Sequence, residues 1–356
     1  MVLGVCALAS CGGGGGGGSS APAPPSGGGV GPTATSLSAA TDTANNNALC
    51  SAIAPFYWEI GNDKGALASG SVGVDSTGSP VTTSTKVSIA SASKWVYGTY
   101  IVQVRGSAAA LTAQDIPFLN FTSGYTNMTT SLTSSDCPPP ASGADTVNAC
   151  LTQINPANGQ PFSFQVPNTI GFFDYNSGHL ENHASQLGGL GDTANSDLGT
   201  VVGQELGANI DFIYTEPLIA GGIYTSASVY AQILQGILSG ALAMHDALDT
   251  GAVCTQPSAP GCNAVFSPIP EAWHYSIAHW IEDDPSTHGD GAFSSPGAFG
   301  FYPWIEASKA YYGLVSREAP PAGVSGEQQG YASVKCGRLI RHAWDTGAEQ
   351  TGNIPN

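Results

Sequence analysis

The stretch Val87-Ser88-Ile89-Ala90-Ser91-Ala92-Ser93-Lys94-Trp95-Val96-Tyr97-Gly98-Thr99-Tyr100 reads as a short strand turning into a helix, with a reactive serine at the turn. Val87, Ile89 and Ala90 are strand-like. Ser91 or Ser93 is placed to cap the helix, because a hydroxyl accepts from the first free backbone amides. Trp95, Val96, Tyr100 and Val102 recur at a spacing that suits a helix with one buried face. Ser91 and Lys94 then share a face about a turn apart. A serine hydroxyl is a poor nucleophile until a neighbouring base takes its proton. Lysine becomes such a base when burial lowers its pKa. A helix N-terminus also brings backbone amides to a developing oxyanion. Ser-x-x-Lys alone fits a capping serine beside an exposed lysine equally well, so partners must come from the rest of the chain.

The chain has 356 residues, enough for one large domain or two. Nine Lys and Arg against 26 Asp and Glu give a formal net charge of −17. Such a surface repels nucleic acid and offers anionic lipid no basic patch. Only 10% of residues are charged, and Gly, Ser, Thr and Ala dominate, a composition expected of a secreted protein. Val2 to Leu8 is a short apolar run followed by Ala9-Ser10-Cys11. This resembles the end of a bacterial lipoprotein signal peptide, whose cysteine becomes lipidated. Residues 1–11 are read as a signal remnant, with Cys11 as the lipidation site. The expectation is an exported lipoprotein, periplasmic or at the cell surface, anchored to the outer membrane through Cys11 alone. Gly12 to Pro32 reads as a flexible tether, and residues 12–45 as a whole are assigned to that tether. No later run is long and apolar enough to span a bilayer.

Beyond Cys11 six cysteines follow, and an even number in an exported chain suggests disulfides. Proximity pairs Cys137 with Cys150 and Cys254 with Cys262, each closing a Pro-rich loop. Cys50 and Cys336 remain, and their bond would join the two ends of the chain. No Cys-x-x-Cys occurs, which argues against a structural zinc site.

A first helix is expected over Thr41 to Ile53, then strands over Ala54 to Ile60 and Ala66 to Val74. Residues 126 to 260 mix loops with helices, clearest over Ser226 to Leu248, where Tyr230, Ile233, Leu234, Ile237, Leu238 and Leu242 share a side. Trp273 to Ile281, Gly297 to Ile305 and Tyr311 to Arg317 read as strands, and Tyr331 to Trp344 as a closing helix. Strands at both ends therefore enclose a mostly helical middle.

Five stretches, in order, resemble motifs of the serine β-lactamase superfamily: class C β-lactamases, penicillin-binding D,D-peptidases and β-lactamase-like esterases. Ser91-Ala92-Ser93-Lys94 is similar to its nucleophile motif. Phe118 to Tyr125 resembles its Leu-Leu-Thr-His-Thr-Ser-Gly segment. Tyr175-Asn176-Ser177 resembles Tyr-x-Asn with serine in the last place. Ala220-Gly221-Gly222 resembles an Ala-Gly-Gly segment leading into a helix. Ser295-Pro296-Gly297-Ala298-Phe299-Gly300 resembles the third catalytic motif, with Ser295-Pro296 replacing Lys-Thr or His-Thr.

The resemblance implies an α/β (α+β) fold: an antiparallel sheet with flanking helices built from residues 46–115 and 265–356, and an inserted, mostly helical domain over 116–264. It implies that Ser91 is the nucleophile, that Lys94 shares or takes its proton, and that Tyr175 protonates the leaving group. The amides of Ser91 and Ala298 would form the oxyanion hole, and Ser177, Ser295, Gly297 and Phe299 would contact substrate. No cofactor and no metal are implied. Because no Lys or Arg lies between Arg105 and Lys309, a carboxylate-bearing substrate lacks an obvious partner unless Arg317 or Arg341 enters the cleft. The expectation is therefore an exported carboxylesterase acting on neutral short acyl esters, with an amidase of the same superfamily (β-lactamase, D,D-peptidase or nylon-oligomer hydrolase) as the alternative. A surface binding protein that has lost turnover is the second alternative.

His179 and His183 stand at helical spacing around Glu181, but Glu181 lies two places from His179, unlike the metalloprotease pattern, so exposed or hydrogen-bonded histidines are expected in place of a metal site. Glu282, Asp283, Asp284, His288 and Asp290 lack EF-hand spacing and read as a solvated acidic loop. Of Trp273, Tyr275, Trp280, Phe299, Tyr302 and Trp304, one or two are expected to wall the cleft.

Overall fold

Strands from the two ends of the chain lie side by side in the computed structural model, which describes residues 33–128, 145–154, 159–161, 163–319 and 326–353. Its helices are α1 (Ala34–Asn46), α2 (Ala48–Ser51), α3 (Ala92–Arg105), α4 (Asp115–Leu119), α5 (Val147–Thr152), α6 (Gly178–Gln186), α7 (Asn195–Leu206), α8 (Ala227–Leu238) and α9 (Gly326–Thr346). Its strands are β1 (Phe56–Asn62), β2 (Gly65–Val72), β3 (Lys86–Ser88), β4 (Phe173–Asp174), β5 (Ile213–Tyr214), β6 (Ile223–Ser226), β7 (Val253–Cys254), β8 (Ala264–Phe266), β9 (His274–Tyr275), β10 (Trp280–Glu282), β11 (Ala292–Ser294), β12 (Tyr302–Ile305) and β13 (Tyr312–Ser316).

The main sheet is antiparallel in the order β2-β1-β13-β12-β11-β10-β9-β7. The register sets Trp58 opposite Val315 and Ile60 opposite Gly313. Apart from Asn62, β1, β12 and β13 are buried along their whole length, so they need cover on both faces. Helix α8 packs on β1, β2 and β13, and α9 on β12 and β13. Gly313 lets the Trp304 ring lie flat on the sheet, since a Cβ there would sit 2.1 Å from the ring. A smaller sheet, β3-β6-β5, carries the Ser91 stretch. Its position follows from the Ile89 amide, which donates to the Ile223 carbonyl at 3.1 Å.

Several boundaries differ from the sequence reading. Residues 34–45, assigned to the tether, form α1: Thr33 caps it through Ser36, and Ala39, Ala40, Thr43 and Ala44 are buried on the face that meets α9. A low-complexity run of small residues hid a helix whose buried face is made of alanines. The helix expected over Ser226 to Leu248 stops at Leu238, because Gly240 turns left-handed (φ 73°) before a 3-10 turn at Ala243–Asp246. Trp273 to Ile281 splits into β9 and β10 around a turn in which Ala278 has φ 58°.

The acidic loop is not solvated as expected. Glu282 is fully buried; it accepts from Arg338 Nε (2.9 Å), Arg341 Nη2 (3.0 Å) and the Tyr302 hydroxyl (2.7 Å). Arg341 also pairs with Asp290 at 2.7 Å, and Arg338 with Glu271 at 2.8 Å. Burial alone would raise the Glu282 pKa, but the two guanidiniums hold it down at about 2. The loop is thus the anchor of α9; Arg338 and Arg341 lie three apart on one face of that helix.

Disulfides join Cys50 to Cys336 and Cys254 to Cys262. Cys137 lies outside the described residues, as do Cys11 and the leader. No described helix is long and apolar enough to cross a membrane. The Cys50–Cys336 bond closes a loop of 286 residues between α2 and α9. Replacing both cysteines by serine should lower the unfolding free energy by about 2–5 kcal/mol, read by urea denaturation. An unchanged midpoint would show that the packing of α1 and α2 on α9 suffices.

Candidate functional site

The strand-to-helix turn is built as the Ser91 stretch suggested. β3 ends at Ser88, Ala90 takes a left-handed conformation (φ 45°), and Ser91 heads α3. A non-glycine residue there is uncommon and marks a constrained turn. Three contacts hold it. Ile89 is tied to Ile223, as above. The Ser295 hydroxyl donates to the Ser91 carbonyl at 3.1 Å. The Gly297 backbone presses on the Ile89 carbonyl so closely that a Cβ would come within 2.1 Å of it. Neither Ser91 nor Ser93 caps the helix. Ser91 already has helical angles (φ −59°, ψ −14°) and makes no cap bond; Ser93 Oγ accepts from the Ile223 amide at 3.3 Å.

Helix α3 is buried from Ala92 to Val102, so the Lys94 amine has left bulk water. Lys94 Nζ donates to Ser91 Oγ at 3.0 Å and to the Ala220 carbonyl at 2.9 Å. Burial lowers its pKa from 10.5 to about 7, and the nearby Glu181 carboxylate partly opposes that fall. An amine poised near neutrality, in contact with a serine hydroxyl, can take that proton.

The Tyr175 ring lies 5.1 Å from Lys94 Nζ, stacks on Trp280 at 5.1 Å and meets Tyr275 edge-on at 5.9 Å. Its amide donates to the Phe266 carbonyl at 3.1 Å, so β8 helps hold it. Trp280 and Tyr275 are therefore the aromatics that back the site, while Tyr302 and Trp304 are buried in the sheet beside the α9 anchor. Asn176 donates to the Met128 carbonyl at 2.7 Å and accepts from the Gly178 amide at 2.9 Å, which fixes the start of α6. Ser177 is buried at the head of α6 without a cap bond. The hydrogen bonds of Lys94 to described residues go to Ser91 and Ala220, not to Ser177.

The two histidines tie α6 to its surroundings. His179 bonds Ser123 at 2.7 Å and the Asp174 carbonyl at 3.0 Å; His183 bonds Tyr97 at 2.7 Å and Asp115 at 2.9 Å. Burial lowers their pKa values to about 3 and about 4, so both rings are neutral at pH 7. Through Ser123 the Phe118-to-Tyr125 segment is thereby joined to the helix that follows Tyr175. Among the described residues no group of three or more His, Cys, Asp or Glu side chains is arranged to hold a metal.

The amides of Ser91 and Ala298, expected to form the oxyanion hole, make no backbone hydrogen bond to the described residues. Around them Gly297 donates to Phe301 at 2.7 Å and Gly300 to Gly297 at 2.9 Å, while the Phe299 carbonyl accepts from Ala319 at 2.8 Å. The two arginines left open by the sequence are placed differently. Arg341 is held by Glu282 and Asp290. Arg317 is buried along Gly300 and donates to Gln329 of α9 at 2.6 Å.

The sequence reading weighed Glu181 only beside its two histidines and gave it no role at the site. It is fully buried on α6 and accepts from the amides of Ile219 (2.9 Å) and Ala220 (2.8 Å). No motif marks it; the signal was an acid among residues otherwise suited to a buried helix face.

The architecture is that of the β-lactamase-like serine hydrolases. A candidate β-lactamase from Bacteroides dorei DSM 17855 superposes with a TM-score of 0.53 at 18% identity, over 80% of this chain and 93% of that one. Simvastatin synthase from Aspergillus terreus gives 0.51 at 14% identity, over 87% of this chain and 100% of that one. A candidate 6-aminohexanoate-dimer hydrolase from Bacillus anthracis gives 0.53 at 14% identity, over 83% and 80%. These likenesses establish the fold. No family model matches the sequence, and no curated protein does.

If Lys94 is the base, labelling of Ser91 by a fluorophosphonate should fall about tenfold per pH unit below about 7 and level off above it, where the amine is neutral. Ser91→Ala loses no cap bond, so its stability should stay within about 0.5 kcal/mol of the parent while labelling disappears. Labelling that survives would transfer the role to another serine, Ser93 first.

Proposed function

We propose that the protein is an exported serine hydrolase that forms an acyl-enzyme on Ser91, and that it acts on neutral short acyl esters. The observation that carries this reading is the 3.0 Å bond between the buried Lys94 amine and Ser91 Oγ. In the proposed cycle Ser91 Oγ attacks the ester carbonyl and Lys94 takes its proton. The amides of Ser91 and Ala298 receive the oxyanion. Collapse expels the alcohol, which takes a proton from Tyr175, and Lys94 returns one to Tyr175. Water then attacks the acyl-enzyme by the same path, releases the acid and restores Ser91.

The preference for neutral substrate rests on where the cations are. Ser295 and Pro296 stand where relatives carry a cation, and the Ser295 hydroxyl is engaged by the Ser91 carbonyl. Arg105 is paired with Asp115, Lys309 donates to the His245 carbonyl, Arg338 and Arg341 are held by Glu271, Glu282 and Asp290, and Arg317 donates to Gln329. A carboxylate entering this site would be desolvated without a charged partner, at a cost of several kcal/mol. Export is supported by the two disulfides, which persist in oxidising compartments. The membrane anchor at Cys11 stays part of the proposal.

With the purified protein, kcat/KM for p-nitrophenyl acetate or butyrate should exceed that for nitrocefin by at least about two orders of magnitude. Nitrocefin turnover at a rate rivalling the ester would replace the esterase reading with a β-lactamase. Folded protein that neither turns over esters nor labels at Ser91 would leave a binding protein.

A further inference from the structure

A buried carboxylate is costly unless its oxygens are satisfied. Glu181 meets that condition with backbone alone: Oε2 accepts from the Ile219 amide at 2.9 Å and Oε1 from the Ala220 amide at 2.8 Å. Both amides belong to a tight turn in which Gly221 and Gly222 each donate to the Leu218 carbonyl, at 3.2 and 2.7 Å. From the far side of that turn the Ala220 carbonyl accepts from Lys94 Nζ at 2.9 Å. Glu181 and Lys94 thus hold the same residue, one at its N–H and the other at its C=O, groups of adjacent peptides joined at the Ala220 Cα.

We propose that Glu181 is a positioning residue for Lys94: it fixes the carbonyl that aims the amine at Ser91, and its charge sets how readily that amine releases a proton. The proposal rests on the Ser91–Lys94 reading of the site. The groups around the pair favour this assignment. Glu181 is the acidic residue that acts on Lys94, raising its pKa. Facing Glu181 are Lys94, Glu216 and the phenols of Tyr97 and Tyr214; burial raises both phenol pKa values, so both stay neutral. Facing Lys94 are also Ser91 Oγ and the Tyr175 ring. His179 and His183, on the same helix, are turned to other partners and neutral. Burial raises the Glu181 pKa to about 8, against the pull of the two amides and Lys94, so near neutral pH proton and charge are shared between Glu181 and Lys94.

The test uses the full chain with Glu181→Gln, Glu181→Asp, Lys94→Met and the Glu181→Gln/Lys94→Met pair. Fluorophosphonate labelling of Ser91 is followed across pH, and folding is checked by circular dichroism. Glu181→Gln should lower the plateau rate at least about tenfold and move the acid limb down by about one pH unit, because the removed anion favoured the protonated amine. Glu181→Asp keeps the charge but withdraws it by a methylene; its limb should stay in place while its plateau falls. A folded Glu181→Gln protein with the parental limb overturns the proposal. If that variant does not fold, a Glu181→Asp protein at the parental plateau overturns it instead. Unlabelled parent protein would sink the acyl-enzyme reading, and the pair is then judged by unfolding in urea. There the double variant should depart from the product of the single effects by at least about tenfold in the unfolding equilibrium, and strict additivity overturns the proposal.

Discussion

An amine removed from water constrains everything around it. Lys94 sits on a helix buried along most of its length, so its pKa falls from 10.5 to about 7, a difference between its two protonation states of about 5 kcal/mol. The fold accommodates that energy by giving the amine a neutral acceptor, the Ala220 carbonyl, and a hydroxyl, Ser91 Oγ, in place of a direct ion pair. A carboxylate touching Nζ would have kept the proton on the lysine. Glu181 is held one peptide away, where it steadies the acceptor without binding the amine.

The buried charges that hold α9 are handled in the opposite way. At the α9 anchor Arg338 and Arg341 touch Glu271, Glu282 and Asp290 directly, and a neighbouring phenol, Tyr302, donates to Glu282. Removing one partner from such a network strands a buried charge, which costs more than the intact network contributes. The cluster therefore locks α9 to β10 and β12, and the Cys50–Cys336 bond locks α9 to α2. The frame that carries Ser295 and Gly297 to the Ser91 turn is rigid for this reason. Direct pairing serves the frame; indirect pairing serves the proton.

What the sequence disclosed follows the same division. The Ser91 turn, the strands at both ends and two of the expected disulfides were legible, because each rests on local spacing or on cysteine chemistry. The buried strands were found but their ends were not, since Gly240 and Ala278 end elements by a single left-handed residue. The start of helix α1, before Thr41, was missed because alanine buries too little surface to give a hydrophobic period. The acidic loop was misread because its partners, Arg338 and Arg341, are more than 50 residues away in sequence. The role of Glu181 was illegible for a related reason: its partners are backbone amides, which leave no residue-specific trace.

The Ser295 contact links frame and chemistry. A lysine at that place would project a second cation toward Ser91 and Lys94, and the two ammoniums would repel across a poorly screened space. That repulsion favours a neutral Lys94 still further, but it also gives an incoming carboxylate a partner. Here a hydroxyl stands instead and braces the nucleophile through its own carbonyl. The turn is held by neutral hydrogen bonds, and Lys94 keeps its pKa through burial and Glu181 alone. With a chain that is strongly acidic overall, an anionic substrate meets a repulsion on approach that a neutral ester does not. The preference proposed for neutral esters is thus the counterpart of a site in which a hydroxyl, in place of a cation, braces Ser91.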